Sequence, residues 1–141
     1  MKKIVWNKFD SDYLPTDEEI ESVEKKIGFK FPKDYIEVMK KNDGAYPSIR
    51  TFDIRDDEDC INNLLSFDES DAQSITFAYN VVLERGIKNV YPIARDPFGN
   101  YVCYKKINSH NSKIVFWNHE KPKKLIELCD NFSEFLEMLY E

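Results

Sequence analysis

Apolar residues at helical spacing predict a helix near the start of the chain. Ile20, Val23 and Ile27 form an apolar stripe that ends at Gly28. The preceding residues Thr16-Asp17-Glu18-Glu19 have the spacing of a capping box. Acidic side chains are also favoured there by the helix dipole. We therefore expect a helix that begins at Thr16.

A second helix is predicted from Pro32 to Asn42. Proline suits the first turn of a helix, because its missing N–H would be unpaired there. The buried side of this helix is expected to hold Tyr35, Ile36, Val38 and Met39. The run Asn42-Asp43-Gly44 ends it.

Apolar runs in the rest of the chain predict strands. The predicted ranges are 48–54, 61–67, 90–95, 101–106, 113–117 and 124–128. The run Asp96-Pro97-Phe98-Gly99-Asn100 predicts a hairpin turn between two of them. Helices are expected over 70–85 and from Asn131 onward, and an acidic loop is expected between the first two strands.

This order of elements predicts an α+β fold. Strands joined by hairpins form an antiparallel or mixed sheet, and the helices group against that sheet. We expect about five to six strands with helices packed against them. The length of 141 residues suits one hydrophobic core, so residues 1–141 are predicted to form a single domain.

Composition is that of a globular protein, with 42% hydrophobic and 33% charged residues. No apolar run approaches the ~20 residues that a membrane helix needs. The first six residues begin like a signal peptide, but Asn7, Lys8 and Asp10 interrupt the apolar stretch. We therefore expect a cytoplasmic protein that does not act at a membrane.

The net charge of −6 is concentrated in residues 53–71, which hold eight acids and one base, Arg55. This balance argues against nucleic acid as a direct partner, because phosphate contact needs a basic face. It is compatible with a basic partner protein. A solvated surface loop is the alternative interpretation, since charge runs often have no binding role.

The sequence offers little catalytic chemistry. The three cysteines, Cys60, Cys103 and Cys129, lack the spacing of a disulfide framework and are expected to be reduced thiols. A catalytic pair of His119 with one of these thiols stays an open alternative. Distance along the chain does not show whether the two side chains meet in the fold. Motifs for zinc, phosphate or nucleophilic catalysis are absent from the sequence. We predict no enzyme activity, no cofactor and no metal.

Asp96 and Asn100 have two interpretations. They suit a cation site or a partner contact, and they equally suit local turn chemistry, in which their side chains bond the backbone. The turn interpretation is favoured by their position around Pro97 and Gly99.

Four sequence blocks, in this order, resemble those of the SUKH superfamily. They are Phe31–Tyr35 running to Asn42-Asp43-Gly44, Pro92–Asn100, Val115–Glu120 and Phe132–Leu136. The resemblance spans about residues 14–140 and implies the fold of the yeast cell-wall-assembly-regulator domain. The residues that match the family's pattern are implied to build the scaffold: Pro32, Tyr35, Gly44, Pro92, Gly99, Trp117 and Phe135.

The resemblance also implies a function. Bacterial members resemble immunity proteins that bind and neutralise a cognate polymorphic toxin, often a nuclease. Because nuclease toxins are commonly basic around their active cleft, we expect the acidic segment to bind the toxin. The predicted partner-binding residues are Asp53, Asp56, Asp57, Glu58, Asp59, Glu69, Asp71 and Tyr46. Four aromatic residues near this segment are candidate apolar anchors, Tyr46, Phe52, Phe67 and Tyr79.

Two other classes of function stay open. An intracellular regulator or scaffold like the eukaryotic relatives would have no toxin partner. An enzyme or small-ligand binder would need a deep pocket that joins His119 to a thiol and a carboxylate.

Overall fold

The structure of the protein is a computed structural model that describes residues 3–141. Within this range it has four helices, α1 (Asp17–Ile27), α2 (Lys33–Asn42), α3 (Ile75–Glu84) and α4 (Phe132–Met138). Nine strands lie in the same range. They are β1 (Trp6–Asn7), β2 (Tyr46–Pro47), β3 (Thr51–Ile54), β4 (Asp57–Cys60), β5 (Asn63–Leu64), β6 (Val90–Arg95), β7 (Tyr101–Lys106), β8 (Ser112–Trp117) and β9 (Ile126–Cys129).

Side-chain caps fix where three helices begin. Thr16 Oγ1 accepts a hydrogen bond from the Glu19 amide at 3.1 Å, and the Glu19 carboxylate accepts one from the Thr16 amide at 2.9 Å. This is the predicted capping box. Ser74 and Asn131 cap α3 and α4 in the same way, through their side-chain oxygens. Each such cap contributes about 0.5–2 kcal/mol to stability.

The central sheet has five antiparallel strands in the order β5-β6-β7-β8-β9. The hairpin β6–β7 turns through Asp96–Asn100, with Arg95 opposite Tyr101 as the last pair. The predicted α+β class and the predicted central hairpin are both confirmed. β6 and β7 have the predicted bounds, because both are buried strands with clear turn residues between them.

The main core lies between one face of this sheet and the helices. It is rich in aromatic rings: Phe29 stacks on Tyr91 with centroids 4.3 Å apart, and Tyr35 meets Tyr104 edge to face at 5.8 Å. A smaller cluster forms where Val82 of α3 packs with Cys103, Val115 and Trp117. The sheet is therefore buried by apolar contacts on both faces, which makes β6–β8 a rigid platform for the turns at their ends.

The acidic segment differs from the prediction of a loop. Residues 57–60 form β4, which pairs antiparallel with β3 as a hairpin turning at Arg55 and Asp56. Acidic residues have low strand propensity, so pairing with β3 decides the conformation here. The strand predicted over 61–67 shortens to β5, and the short pair β1–β2 was not predicted.

Candidate partner-binding surface

The β3–β4 hairpin displays its acids on two faces. Directly paired residues share a face, so Asp53 and Glu58 lie on one side, while Asp57 points to the other. The Tyr140 hydroxyl lies 2.7 Å from Asp53 Oδ1 and 3.0 Å from Glu58 Oε2. These hydrogen bonds raise the pKa of Tyr140 and hold the two carboxylates side by side.

The exposed acids of the hairpin have no cationic partner within residues 3–141. Asp56, Asp57 and Glu58 are all exposed, and the ion pairs of the described chain involve other residues. Their charge is therefore available to a partner rather than neutralised internally.

Asp59 is the exception, because it faces Phe52 across the hairpin and approaches Asp96. Burial, followed by a hydrogen bond with Asp96, raises the pKa of Asp59 to about 8. Asp59 Oδ2 is buried and has no donor among the described residues. A proton on Asp59 resolves this, since the acid can then donate to Asp96. Asp59 is therefore neutral near pH 7 and is poorly placed to attract a basic partner.

Asp96 stays ionised because the turn supplies donors. Its Oδ1 accepts hydrogen bonds from the amides of Phe98 and Asn100, each at 2.8 Å, and its Oδ2 accepts one from Asn100 Nδ2 at 2.8 Å. Burial raises its pKa, but the bonds from Asp59, Asn100 and Phe98 outweigh that effect and lower it. Asp96 is only 2% exposed, so this carboxylate serves the turn.

Asn100 extends the same network to His119. Its Oδ1 accepts from the His119 amide at 3.0 Å and lies 2.7 Å from His119 Nδ1. Because Asn100 Nδ2 is donating to Asp96, Nδ1 of His119 must carry the proton in this contact. The Arg85 guanidinium donates to the His119 carbonyl at 2.8 Å. The network connects the end of β8, and Arg85 at the end of α3, to the turn between β6 and β7. Its role is structural.

The acids after the hairpin lie elsewhere. Glu69 forms an ion pair with Lys26 of α1 at 2.8 Å. Asp71 Oδ1 accepts a hydrogen bond from the Gln73 amide at 2.8 Å, and no ion pair to Asp71 occurs within residues 3–141. The predicted partner-binding acids of residues 53–71 therefore lie in three places. These are the β3–β4 hairpin, the ion pair at Glu69 and a separate position at Asp71.

Tyr46 lies near Asp71 and belongs to a surface that sequence reasoning missed. Its hydroxyl donates to Asp10 Oδ2 at 2.5 Å, and its ring packs against Phe9 with centroids 5.5 Å apart. The signal for this site was available in the sequence, since Phe9 stands alone in the polar run Asn7-Lys8-Phe9-Asp10-Ser11-Asp12. A lone aromatic residue in a polar run fits no core periodicity.

The aromatic anchors proposed from the sequence separate into two groups. Phe52 and Phe67 are buried core residues and are unavailable to a partner. Tyr79 is half-buried and stacks on Tyr91 at 5.6 Å, so it mainly supports α3. Of the four, Tyr46 alone belongs to a surface cluster with carboxylates.

Comparison with known proteins places this chain in a family. The family model SUKH_6, described as SMI1-KNR4 cell-wall, matches residues 17–136. The chain belongs to the SUKH_6 family. It is also similar to the SPbeta prophage-derived uncharacterized protein YokK of Bacillus subtilis (strain 168). The two are 27% identical over 144 residues, which cover 87% of this chain and 73% of that protein.

The matched region of this SUKH_6 chain includes the hairpin, Tyr46 and Asp71, whereas Phe9 and Asp10 precede it. In the described part of the chain, no three His, Cys, Asp or Glu side chains come together as metal ligands. No helix among residues 3–141 is long and apolar enough to cross a membrane.

The thiols of this SUKH_6 chain are poor nucleophiles. Burial raises the pKa of Cys103, and burial raises the pKa of Cys129 to about 12, so both stay protonated near neutral pH. The imidazole Nδ1 of His119 is held by Asn100. A thiolate–imidazole pair is therefore not assembled among these groups.

Proposed function

We propose that this SUKH_6 protein is an immunity protein that binds and neutralises a toxin domain with a basic surface. The observation that carries the proposal is the β3–β4 hairpin, where Asp56, Asp57 and Glu58 are exposed without cationic partners. The relative YokK is described as prophage-derived, and this origin supports the proposal of an immunity role.

The hairpin would act mainly on the rate of association. Complementary charge raises association rate constants from a neutral ~10⁵–10⁶ to as much as ~10⁸–10⁹ M⁻¹s⁻¹ at low salt. A nuclease toxin must hold phosphates, so its active cleft is the natural basic partner. Neutralisation by a protein contact needs no turnover by this chain, in keeping with its protonated thiols.

Charge reversal of the hairpin tests this proposal. The variant Asp56→Lys/Asp57→Lys/Glu58→Lys leaves Asp59 in place, because Asp59 faces the interior. The partner for this test is a toxin domain identified among the products of the neighbouring genes by its lethality in cells that lack this protein. We expect association of the variant with that domain to slow by about 10-fold or more at low salt. The rate for the wild type should fall as salt rises, because exposed charges are screened over ~8 Å at physiological ionic strength.

The matched control is Glu18→Lys/Glu84→Lys/Glu120→Lys, which makes the same change in net charge at exposed sites outside the hairpin. Both variants should keep the wild-type circular dichroism spectrum. If the two variants associate equally fast, the hairpin does not steer the partner. If the wild type does not bind the toxin domain at all, the immunity function is wrong.

A further inference from the structure

Phe9 is the most exposed large apolar side chain within residues 3–141, with 74% of its surface accessible. Its ring lies against Tyr46 at 5.5 Å, with the ring planes inclined by 54°. An exposed aromatic ring that is supported by a second ring is typical of an anchor at a protein interface.

The backbone around Phe9 is held in place. The ammonium group of Lys8 donates to the carbonyl of Tyr13 at 2.9 Å and to the carbonyl of Asp43 at the end of α2. The other neighbour, Asp10, accepts the hydrogen bond from the Tyr46 hydroxyl. Phe9 is thus presented between two tethered residues, and little conformational entropy is lost when a partner covers it.

Two carboxylates lie beside the two rings. Asp10 bonds the Tyr46 hydroxyl, and Asp71 is close enough to Tyr46 to act on it electrostatically. Neither carboxylate has an ion pair within the described chain. Two bases also lie nearby, and neither forms an ion pair with these carboxylates: Lys8 donates to backbone carbonyls and Arg95 donates to Asn63 Oδ1 at 3.1 Å. The charge of Arg95 acts on Tyr46 more strongly than that of Asp71 and opposes it.

We propose that Phe9, Asp10, Tyr46 and Asp71, which we call the Phe9 platform, receive an arginine side chain of the basic partner. A guanidinium group stacks on aromatic faces and donates to carboxylates through its planar edge. The platform offers both kinds of contact, and its two unpaired carboxylates complement a cation. This inference rests on the proposed function and names the contact that anchors the complex.

The experiment measures binding of the toxin domain identified by its lethality, in a catalytically inactive form, by biolayer interferometry. Phe9→Ala should raise Kd by about 10-fold or more, mainly through faster dissociation. Phe9→Leu keeps apolar area but loses the aromatic face, so it should weaken binding by several-fold. Phe9→Trp should keep wild-type affinity, because Trp is the strongest partner for a cation.

The matched control is Phe98→Ala, which removes an aromatic ring that is 67% exposed on the turn of the central hairpin. It should change Kd by less than about 2-fold, as is usual for residues outside an interface hot spot. Because both rings are exposed, all variants should fold, and their melting temperatures verify it.

The possible failures are distinguishable. If the wild type binds and Phe9→Ala binds equally well, the Phe9 platform is wrong while the immunity function stands. If Phe9→Leu binds like the wild type, the contact is merely apolar and the arginine assignment is overturned. If the wild type fails to bind, the proposed function fails and this inference fails with it.

Discussion

Asp59 shows how one residue departs from the behaviour of its neighbours in the same acidic run. It has the same side chain as Asp56 and Asp57, yet the hairpin turns it toward Asp96. The pair of Asp59 and Asp96 retains one proton, because two adjacent carboxylates do not both ionise at neutral pH. The residue therefore contributes to the fold rather than to the acidic surface.

This proton predicts a pH-dependent stability. Between about pH 4, where an ordinary carboxyl titrates, and about pH 8, the folded state keeps the proton that the unfolded state releases. The free energy of unfolding therefore falls across this range as pH rises. Asp59→Asn is neutral throughout and can still donate to Asp96, so it should be more stable than the wild type at pH 8.5.

The gain at pH 8.5 should be about 1–2 kcal/mol, after discounting for the partial exposure of Asp59. It should shrink toward pH 5, where the wild-type carboxyl is protonated in the folded state. Thermal unfolding at several pH values measures this, with Asp57→Asn as the exposed control. A loss of stability in Asp59→Asn at pH 8.5, or a difference that does not vary with pH, would contradict the shared proton.

At the scale of elements, the turn between β6 and β7 is the best defined local structure. Gly99 has φ of 88° and an added Cβ would lie 3.4 Å from His119 Nδ1. Gly28 also has a positive φ, 75°, but an added Cβ would meet nothing within 4 Å. The two glycines thus share a left-handed backbone, and only at Gly99 would an added Cβ touch another side chain, at an ordinary van der Waals distance.

We expect Gly99→Ala and Gly28→Ala to destabilise the protein by similar amounts. Both substitutions force alanine into a left-handed conformation, at a cost of about 1–2 kcal/mol. At Gly99 the added Cβ would meet the His119 ring at an ordinary contact distance, so we expect the network through Asn100 to stay in place. Urea unfolding of both variants measures the two losses, and a distinctly larger loss of the free energy of unfolding in Gly99→Ala would show that contact with His119 adds strain.

The elements that the sequence predicted well carry strong local signals. The capping box of α1 and the turn between β6 and β7 place their boundaries to within a residue, because the side chains involved act over three or four positions. The helix predicted from residue 70 begins at Ile75 instead, since Ser74 is the cap and the preceding acids form turns.

The elements that escaped prediction depend on distant partners. The pair β1–β2 has two residues on each strand, which is too short for any periodicity. The strand β4 consists of acidic residues whose conformation is set by β3. Asp59 contacts Asp96, and Tyr46 contacts Asp10. Each contact joins residues that are far apart in the chain, so no local sequence pattern predicts it.

At the scale of the whole molecule, the acidic segment does not act as one surface. Asp56, Asp57 and Glu58 are the exposed acids of the hairpin, Glu69 forms an ion pair with Lys26, and Asp71 belongs to the Phe9 platform. We infer a division of roles for a partner-binding face. The hairpin would govern the rate of encounter and the Phe9 platform the lifetime of the complex.

The most direct test of the central claim is survival of cells that express a lethal toxin domain identified among the products of the neighbouring genes. Cells that also express this SUKH_6 protein should grow normally, whereas cells with an empty vector should die. The charge-reversed hairpin variant should protect less well at low expression levels. Death of cells that contain the folded wild-type protein together with the toxin would contradict the proposed immunity function.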